Sequence, residues 1–244
     1  MILLKKPKNM EQFRQTLPVS ALGEDARVAF YKKSYTYLAF AVLLFIVVEY
    51  LFLQVPFIVE TGMQMMQGGW TWLVVLGIFM FATNYVETVA IKSKDKTVHH
   101  AMLFAYVILE ALIFVPLIYI AIQVSGARES DILTQAAIMT LALFAGLSMV
   151  AFTTKKDFSF LKSIITIGSF LALGLIVAGT FFGGFELGLW FSVGMVVLAS
   201  ASILYQTSNM IHKYEEDQYV AASLGLFASL MLLFWYVVSI FLSE

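Results

Sequence analysis

Hydrophobic residues along the chain fall into continuous blocks of about twenty, separated by short connections that are rich in charge. A helix of about 20 apolar residues crosses a hydrocarbon core of about 30 Å. Because the blocks are continuous rather than alternating, helices are the elements that would satisfy their backbone polar groups in lipid. The pattern predicts an all-α membrane protein with seven transmembrane helices in a lipid bilayer. The predicted helices cover residues 35–58, 70–91, 98–123, 132–152, 160–182, 187–211 and 219–242.

The basic residues predict how these helices are oriented. Of the 15 lysines and arginines, all except Arg128 lie in the first 34 residues or in the connections after the second, fourth and sixth blocks. Such connections remain in the cytoplasm, so the N-terminus is predicted to be cytoplasmic and the C-terminus to lie outside. We expect residues 1–34 to form a cytoplasmic tail and residues 35–244 the transmembrane domain. Within the tail, residues 21–33 are expected either as a short helix on the membrane surface or as a disordered stretch.

Composition supports the membrane interpretation and removes several kinds of chemistry. The chain is 61% hydrophobic and 13% charged, with a mean hydropathy of +0.88, whereas soluble domains carry about 25% charged residues. It has no cysteine, which excludes disulfides, thiolate catalysis and cysteine-ligated metals. The three histidines lack the spacing of a zinc site, and no metal site is firmly indicated.

Known catalytic arrangements are also missing from the sequence. No aspartate lies within a block, there is no H-E-x-x-H pattern, and no histidine lies at membrane depth to activate a serine. Nucleotide-binding loops are absent as well. We therefore expect a protein that is not an enzyme, with no catalytic residues, no cofactor and no nucleic-acid partner.

Three glutamates lie inside the hydrophobic blocks: Glu49, Glu87 and Glu110. An acid at this depth is costly and usually faces the interior of a helix bundle. At 1.5 Å per residue, Glu110 and Glu49 lie at a similar depth, about 18 Å and 21 Å from the cytoplasmic ends of their helices, and Glu87 only about 6 Å. One hypothesis makes Glu49 and Glu110 a proton-sharing pair or a cation site. The alternative makes them neutral acids with local hydrogen bonds, and makes Glu87 a solvated residue that balances Lys92.

Three segments resemble a known family. "YQTSNMIH" (205–212) and "TTKKDFSFLKS" (153–163) are similar to motifs of the Bax inhibitor-1 family, in its bacterial YccA-like branch. "VPLI" (115–118) resembles a Gly-Pro-x-Leu element of the third helix of that family, with Val115 in place of the glycine. The resemblance extends from residue 35 to the end of the chain and implies the same seven-helix bundle. The residues that match the family motifs are Pro116, Asp157, Thr207, Ser208, Asn209 and His212.

The resemblance implies two activities. Members of the YccA-like branch modulate the FtsH membrane protease, and other members are proton-sensitive calcium leak channels with a pair of acids on the last two helices. Here Gln206 occupies the position of the first acid and Ala228 that of the second. An amide can form hydrogen bonds but cannot titrate, and alanine can do neither. We expect Gln206 to face the bundle, where Glu87, at a similar depth, could hydrogen-bond its amide and replace part of the lost charge.

The sequence thus favours an integral inner-membrane regulator that resembles the YccA-like modulators of FtsH. The alternative function is a pH-sensitive calcium or cation leak in which other acids replace the usual pair and Ca²⁺ is the transported or bound ion. A structural membrane protein without transport is a third hypothesis. Ser208, Asn209 and His212 are expected to cap the sixth helix and to meet lipid headgroups.

Overall fold

A computed structural model describes residues 18–67, 69–93, 95–154, 156–182 and 188–243 of the chain. Most of the expected tail (residues 1–17), Lys94 and Lys155 in the basic connections, and Leu187 at the expected start of the sixth span lie outside these residues. Within the described part, the regular elements are helices, and seven of them are long and apolar enough to cross a membrane. The predicted all-α fold with seven spans is confirmed.

In the described ranges, eight α-helices follow a single turn of 3₁₀-helix at Val19–Ala21. They are α1 (Glu24–Leu53), α2 (Pro56–Gln67), α3 (Trp70–Lys92), α4 (Lys96–Arg128), α5 (Ile132–Thr154), α6 (Leu161–Phe182), α7 (Leu189–His212) and α8 (Tyr219–Ser243). All except α2 are candidate membrane spans.

The first helix begins earlier than predicted. Nothing breaks the helix between Glu24 and Leu53, so the boundary expected after residue 34 falls inside α1. The expectation of a separate surface helix or a disordered stretch at residues 21–33 is wrong, because most of this segment forms the first turns of α1. Glu24 and Asp25 lie in the first turn, where negative charge is favourable to the helix dipole.

The second correction concerns α2, which the sequence pattern assigns partly to the first span and partly to a connection. The chain leaves α1 after Leu53, and Pro56 starts a new helix at a position where its missing N–H costs nothing. At 12 residues α2 is about 18 Å long and too short to span. It packs on α4 at Gly62, where a Cβ would lie 3.4 Å from Cδ of Pro116. Pro116 therefore marks the contact between α2 and α4.

Helix α8 lies at the centre of the bundle. It contacts α1, α3, α4, α5 and α7, and more than half of its apolar window is buried. Helix α6 lies at the periphery, where it contacts α7 and, more weakly, α3. Almost all of its apolar window is exposed, as suits a helix that faces lipid. Residues that face the interior of the bundle are drawn mainly from α4 and α8, whose apolar windows are each 56% buried.

The two ends of the bundle differ in charge. We call the end that carries the α3–α4, α5–α6 and α7–α8 connections the basic end, and the opposite end, where α8 finishes, the C-terminal end. At the basic end, the backbone N–H of Val19 donates to the carbonyl of Tyr214 at 2.8 Å, and Pro18 pairs with Glu215 in an isolated antiparallel bridge. The side chain of Val19 is fully buried. Residues 18–21, hereafter the N-terminal strap, thus fasten the start of the described chain to the α7–α8 connection.

Candidate functional site

A cavity of about 710 Å³ lies between α3, α4, α6, α7 and α8. Glu87, Glu110, Gln206 and Ala228 all line it. Residues at the C-terminal ends of α6 and α8 and at the starts of α3 and α7 also line it, so the cavity runs from the C-terminal end of the bundle toward the basic end. Its principal polar and aromatic lining residues are Trp72, Phe79, Glu87, Tyr106, Glu110, Phe114, Phe191, Ser202, Gln206, Ser229, Trp235, Tyr236 and Ser239.

The two acids meet around Tyr106. Glu110 is only 6% exposed, and the phenol of Tyr106, one helical turn earlier on α4, lies close to its carboxyl group. Tyr106 also lies within electrostatic range of Glu87 on α3. Glu87 and Gln206 lie about 8 to 9 Å from the basic-end termini of their helices, and Glu110 about 21 Å from its own. The acidic groups therefore occupy the deep part of the cavity, away from its C-terminal end.

Gln206 sits against a glycine of the central helix. A Cβ on Gly225 would lie 2.9 Å from Cδ and Oε1 of Gln206, so the absence of a side chain at this position makes room for the amide. The Oε1 atom of Gln206 is buried and accepts no hydrogen bond within the described residues. The expected hydrogen bond between Glu87 and this amide is not formed there. Leaving a buried polar atom unpartnered costs about 1–3 kcal/mol, so this oxygen lowers the stability of the bundle.

Helix α8 supplies small and hydroxylated residues where the family motif leads one to expect an acid. Ala228 lines the cavity, and the next residue, Ser229, shares a hydrogen bond of 2.8 Å with Ser202 of α7. Ser229 also donates to the carbonyl of Gly225, one turn earlier. The contact between α7 and α8 is therefore held by neutral hydroxyl groups.

Glu49 takes no part in this cavity. It lies on the buried face of α1 with Leu38, Ala41 and Phe45, and is 5% exposed. Neither carboxyl oxygen has a hydrogen-bond partner among the described residues, so the hypothesis of a proton-sharing Glu49–Glu110 pair is wrong. The two acids were predicted at similar depth, but depth does not determine the direction in which a side chain leaves its helix. The side chain of Glu49 does not point into the cavity.

The two family motifs meet at the basic end. The hydroxyl of Ser208 on α7 accepts a hydrogen bond of 2.9 Å from the backbone N–H of Phe158, in the connection before α6. Asp157 accepts hydrogen bonds from the Ser159 hydroxyl and backbone N–H, which lower the pKa of Asp157, and nearby His212 and Lys213 act in the same direction. The motifs form one joint between the α5–α6 connection and the end of α7.

This joint corrects one expectation about the end of α7. Ser208 and Asn209 are 1% and 8% exposed and face the protein, so neither meets lipid headgroups. The carbonyl of Asn209 accepts hydrogen bonds from the N–H groups of Lys213 and Tyr214, which ends the helix. His212 bonds through Nδ1 to the carbonyl of Ser208 at 3.0 Å. Thr207 is fully buried, and its hydroxyl has no partner within the described part of the chain.

Sequence reasoning missed the aromatic wall of the cavity. The rings of Trp72 on α3 and Trp235 on α8 stack with centroids 6.4 Å apart, and Phe114 on α4 meets Trp235 edge to face at 5.0 Å. Tyr106, Glu110 and Phe114 are spaced four residues apart, which places them on one face of α4. This spacing could have predicted that the three side chains share one face of α4. It does not show which other helices pack against that face.

The oxygen atoms of the cavity do not amount to a complete metal site. Across the described ranges, no group of three or more histidines, aspartates or glutamates is close enough to hold a metal ion. Calcium takes six to eight oxygen ligands, and the cavity offers two carboxyl groups and one amide in its deep part. These groups suit a cation that keeps other ligands or that binds through charge alone.

The chain is similar to proteins of one family. A family model described as "Inhibitor of apoptosis-promoting Bax1" matches residues 27–244. An uncharacterized protein of Pseudomonas aeruginosa is 43% identical over 111 residues, which cover 46% of this chain and 50% of the relative. An uncharacterized protein of Neisseria meningitidis is 29% identical over 171 residues, which cover 70% of this chain and 72% of the relative.

A relative with a functional name is the "Modulator of FtsH protease YccA" of Escherichia coli. It is 33% identical over 115 residues, which cover 47% of this chain and 52% of the relative. The chain thus spans about half the length of the P. aeruginosa and E. coli relatives that it matches. The family match covers all seven spans from the first turn of α1 onward. The chain therefore belongs to the Bax inhibitor-1 family and is a multi-pass protein of the bacterial inner membrane.

Proposed function

We propose that this protein is an integral membrane regulator that binds an FtsH-type protease and modulates it without catalysing a reaction itself. The observation that carries the proposal is the similarity to the E. coli protein named as a modulator of that protease. The bundle supports it indirectly, because the family motifs build an ordered joint at the basic end. The N-terminal strap lies at the same end. The joint and the strap together form an ordered surface on the side predicted to face the cytoplasm, where a protease could bind.

Co-purification tests this proposal directly. Membranes that contain the tagged full-length chain are solubilised mildly, and the amount of FtsH-type protease recovered is compared with that recovered by an unrelated seven-helix protein expressed at the same level. We expect enrichment of the protease with this chain only. In reconstituted membranes we also expect the chain to change the degradation rate of a membrane substrate. Equal recovery of the protease with both baits would contradict the proposal.

The cavity supports a second candidate function, a cation leak through the bundle. Glu87 and Glu110 line one cavity with Gln206, so two acids from α3 and α4 could attract a cation although α7 and α8 lack the usual pair. In this mechanism the carboxylates concentrate the cation in the deep part of the cavity. Passage would then require the α7–α8 connection at the basic end to open.

Vesicles loaded with a calcium-sensitive dye test the leak. We expect the chain to raise calcium entry, and the double variant Glu87→Gln, Glu110→Gln to abolish that increase. Glu49→Gln is the matched control, because it removes a buried acid that does not line the cavity. A flux that persists in the double variant would eliminate this mechanism, whatever the outcome of the protease experiments.

A further inference from the structure

We propose that the cavity is a binding site for a lipophilic organic cation, a molecule in which an apolar body carries a single positive charge, such as a quaternary ammonium or phosphonium group. This inference rests on the shape and lining of the cavity and does not depend on protease modulation or on ion flux. It names a ligand class for the cavity, whereas an ion leak requires only that small cations pass through it.

The size and walls of the cavity suit an apolar body. Its volume of about 710 Å³ falls within the range of about 300–1,000 Å³ that is typical of small-molecule sites. The stacked rings of Trp72 and Trp235, with Phe114 packed edge to face against Trp235, form a broad aromatic surface on one side. Phe191 and Tyr236, which pack edge to face with each other, add a second aromatic pair.

The charge of the lining favours a cation. Among the described residues that line the cavity, Glu87 and Glu110 are acidic and none is basic. An unpaired carboxylate in a low-dielectric interior is costly, and a cation that enters the cavity offsets part of this cost. Aromatic faces attract cations as well, most strongly when the cation has lost its water. The same carboxylates and aromatic faces would repel an anion of the same size.

Gln206 also lines the deep part of the cavity and adds an amide to the two acids there. Its Oε1 atom is buried without a partner, and the amide is seated against Gly225. A carbonyl oxygen presents partial negative charge and is an acceptor only. Packing against Gly225 covers this oxygen, so it favours a cation through its partial charge and not through direct contact.

The positions of these groups along the bundle suggest how the ligand lies. Serines near the end of α8, Ser239 and Ser243, line the cavity at the C-terminal end, whereas Glu87 and Gln206 lie toward the basic end. The aromatic wall also lies toward the C-terminal end, because Trp72 is in the first turn of α3 and Trp235 is about two turns before the end of α8. The charged head would therefore lie deepest, with its apolar body against the tryptophans.

Binding of tetraphenylphosphonium to the full-length chain in lipid nanodiscs tests the inference. Equilibrium dialysis measures binding, and empty nanodiscs of the same lipid give the partition into the bilayer, which is subtracted. We expect saturable binding of one cation per chain, with quenching of tryptophan fluorescence. Tetraphenylborate, which has the same size and shape but the opposite charge, should show bilayer partition only. Equal saturable binding of both ions, or no saturable binding of the cation, would overturn the proposal.

Variants connect binding to the cavity. We expect Glu87→Gln with Glu110→Gln to weaken tetraphenylphosphonium binding at least about tenfold, since removing one partner of a desolvated charge pair costs more than 1.4 kcal/mol. Glu49→Gln should leave binding unchanged. Should the double variant fail to fold, Ser239→Trp serves instead, because it fills the C-terminal end of the cavity while both acids stay. Unchanged affinity in a folded variant of either design would refute the proposed site.

Discussion

At the scale of single residues, the most informative contact is that between Gln206 and Gly225. A glycine in the interior of a helix costs about 0.5–1 kcal/mol relative to alanine. Here it lies on the central helix, where the Gln206 amide occupies the space of the missing side chain. The amide oxygen nevertheless has no partner within the described residues. The arrangement therefore costs stability at two positions in the wall of the cavity that the two acids also line.

Gly225→Ala should show that these two residues are energetically coupled. The new Cβ would lie 2.9 Å from the Gln206 amide, so the amide must move and the gain in helix propensity is lost. In the Gln206→Ala background the same substitution should stabilise the protein. We expect a coupling energy of at least about 0.5 kcal/mol in thermal or denaturant unfolding in detergent. Gly174→Ala, at which a Cβ would meet nothing within 4 Å, is the control. Equal effects in both backgrounds would contradict the coupling.

At the scale of helices, the two family motifs serve as a joint rather than as separate helix ends. The N–H of Phe158 has its partner in Ser208, fifty residues later in the chain. Because the donor is a backbone group in a connection and the acceptor is a side chain of α7, the bond fixes the start of α6 relative to α7. Helix α6 has few other contacts, so its position depends strongly on this end.

Ser208→Ala should therefore destabilise the bundle more than an ordinary serine substitution. It leaves the N–H of Phe158 without an acceptor, at a cost of about 1–3 kcal/mol. Ser34→Ala is the matched control, because Ser34 is also buried but its hydroxyl donates only to the carbonyl of Phe30 on its own helix. We expect a smaller loss there, measured by the same unfolding experiment. A similar loss at both positions would show that the joint is not special.

The N-terminal strap is the second contact that joins distant elements. Val19 is buried against the α7–α8 connection, and burial raises the pKa of Tyr214, with the negative charge of Glu87 nearby acting in the same direction. The strap therefore lies close to the deep part of the cavity.

Val19→Ala should loosen this strap. A buried valine contributes about 1.5–3 kcal/mol, so truncation to alanine should cost about 1–2 kcal/mol. Limited proteolysis should then cut the N-terminal region faster than in the unmodified chain. Val28→Ala, at a position that is 57% exposed, should have little effect on either measurement. If both variants are cleaved at the same rate, the strap does not hold the N-terminal region in place.

At the scale of the whole molecule, the bundle is organised around α8, with α6 outside and α2 at one end. Because α2 is too short to span, the count of crossings stays odd. The orientation of the termini rests on the basic residues alone and stays a prediction.

Reporter fusions at the two termini check this orientation. A cytoplasm-specific reporter should be active at the N-terminus and inactive at the C-terminus, and a reporter that is active only outside the cytoplasm should show the opposite pattern. Substituting Arg128, the only basic residue on the predicted outer side, by glutamine should leave this pattern unchanged and serves as the control. Activity of one reporter at both termini would refute the odd number of crossings.

The sequence by itself determined the number and order of the spans and the family of the protein. Apolar length and charge distribution are local properties, and helices in lipid must satisfy their own backbone groups. It also predicted the depth of each acid, because depth follows from the rise per residue. The sequence-based prediction was wrong at residues 21–33 and at α2. Apolar length identifies a membrane span, but it does not show whether a less apolar segment belongs to the neighbouring helix or forms a helix of its own.

Only the tertiary structure decided which polar residues share a site. Glu110 faces the cavity and Glu49 does not, although both lie at similar depth, because the direction of a side chain around the helix axis depends on which helices pack against it. The same packing brought Glu87 and Gln206 to one cavity and gave Gln206 a glycine as its neighbour. It also placed Ser208 and Asn209 inside the protein. These outcomes depend on contacts between residues far apart in the chain, which no periodicity within a single helix encodes.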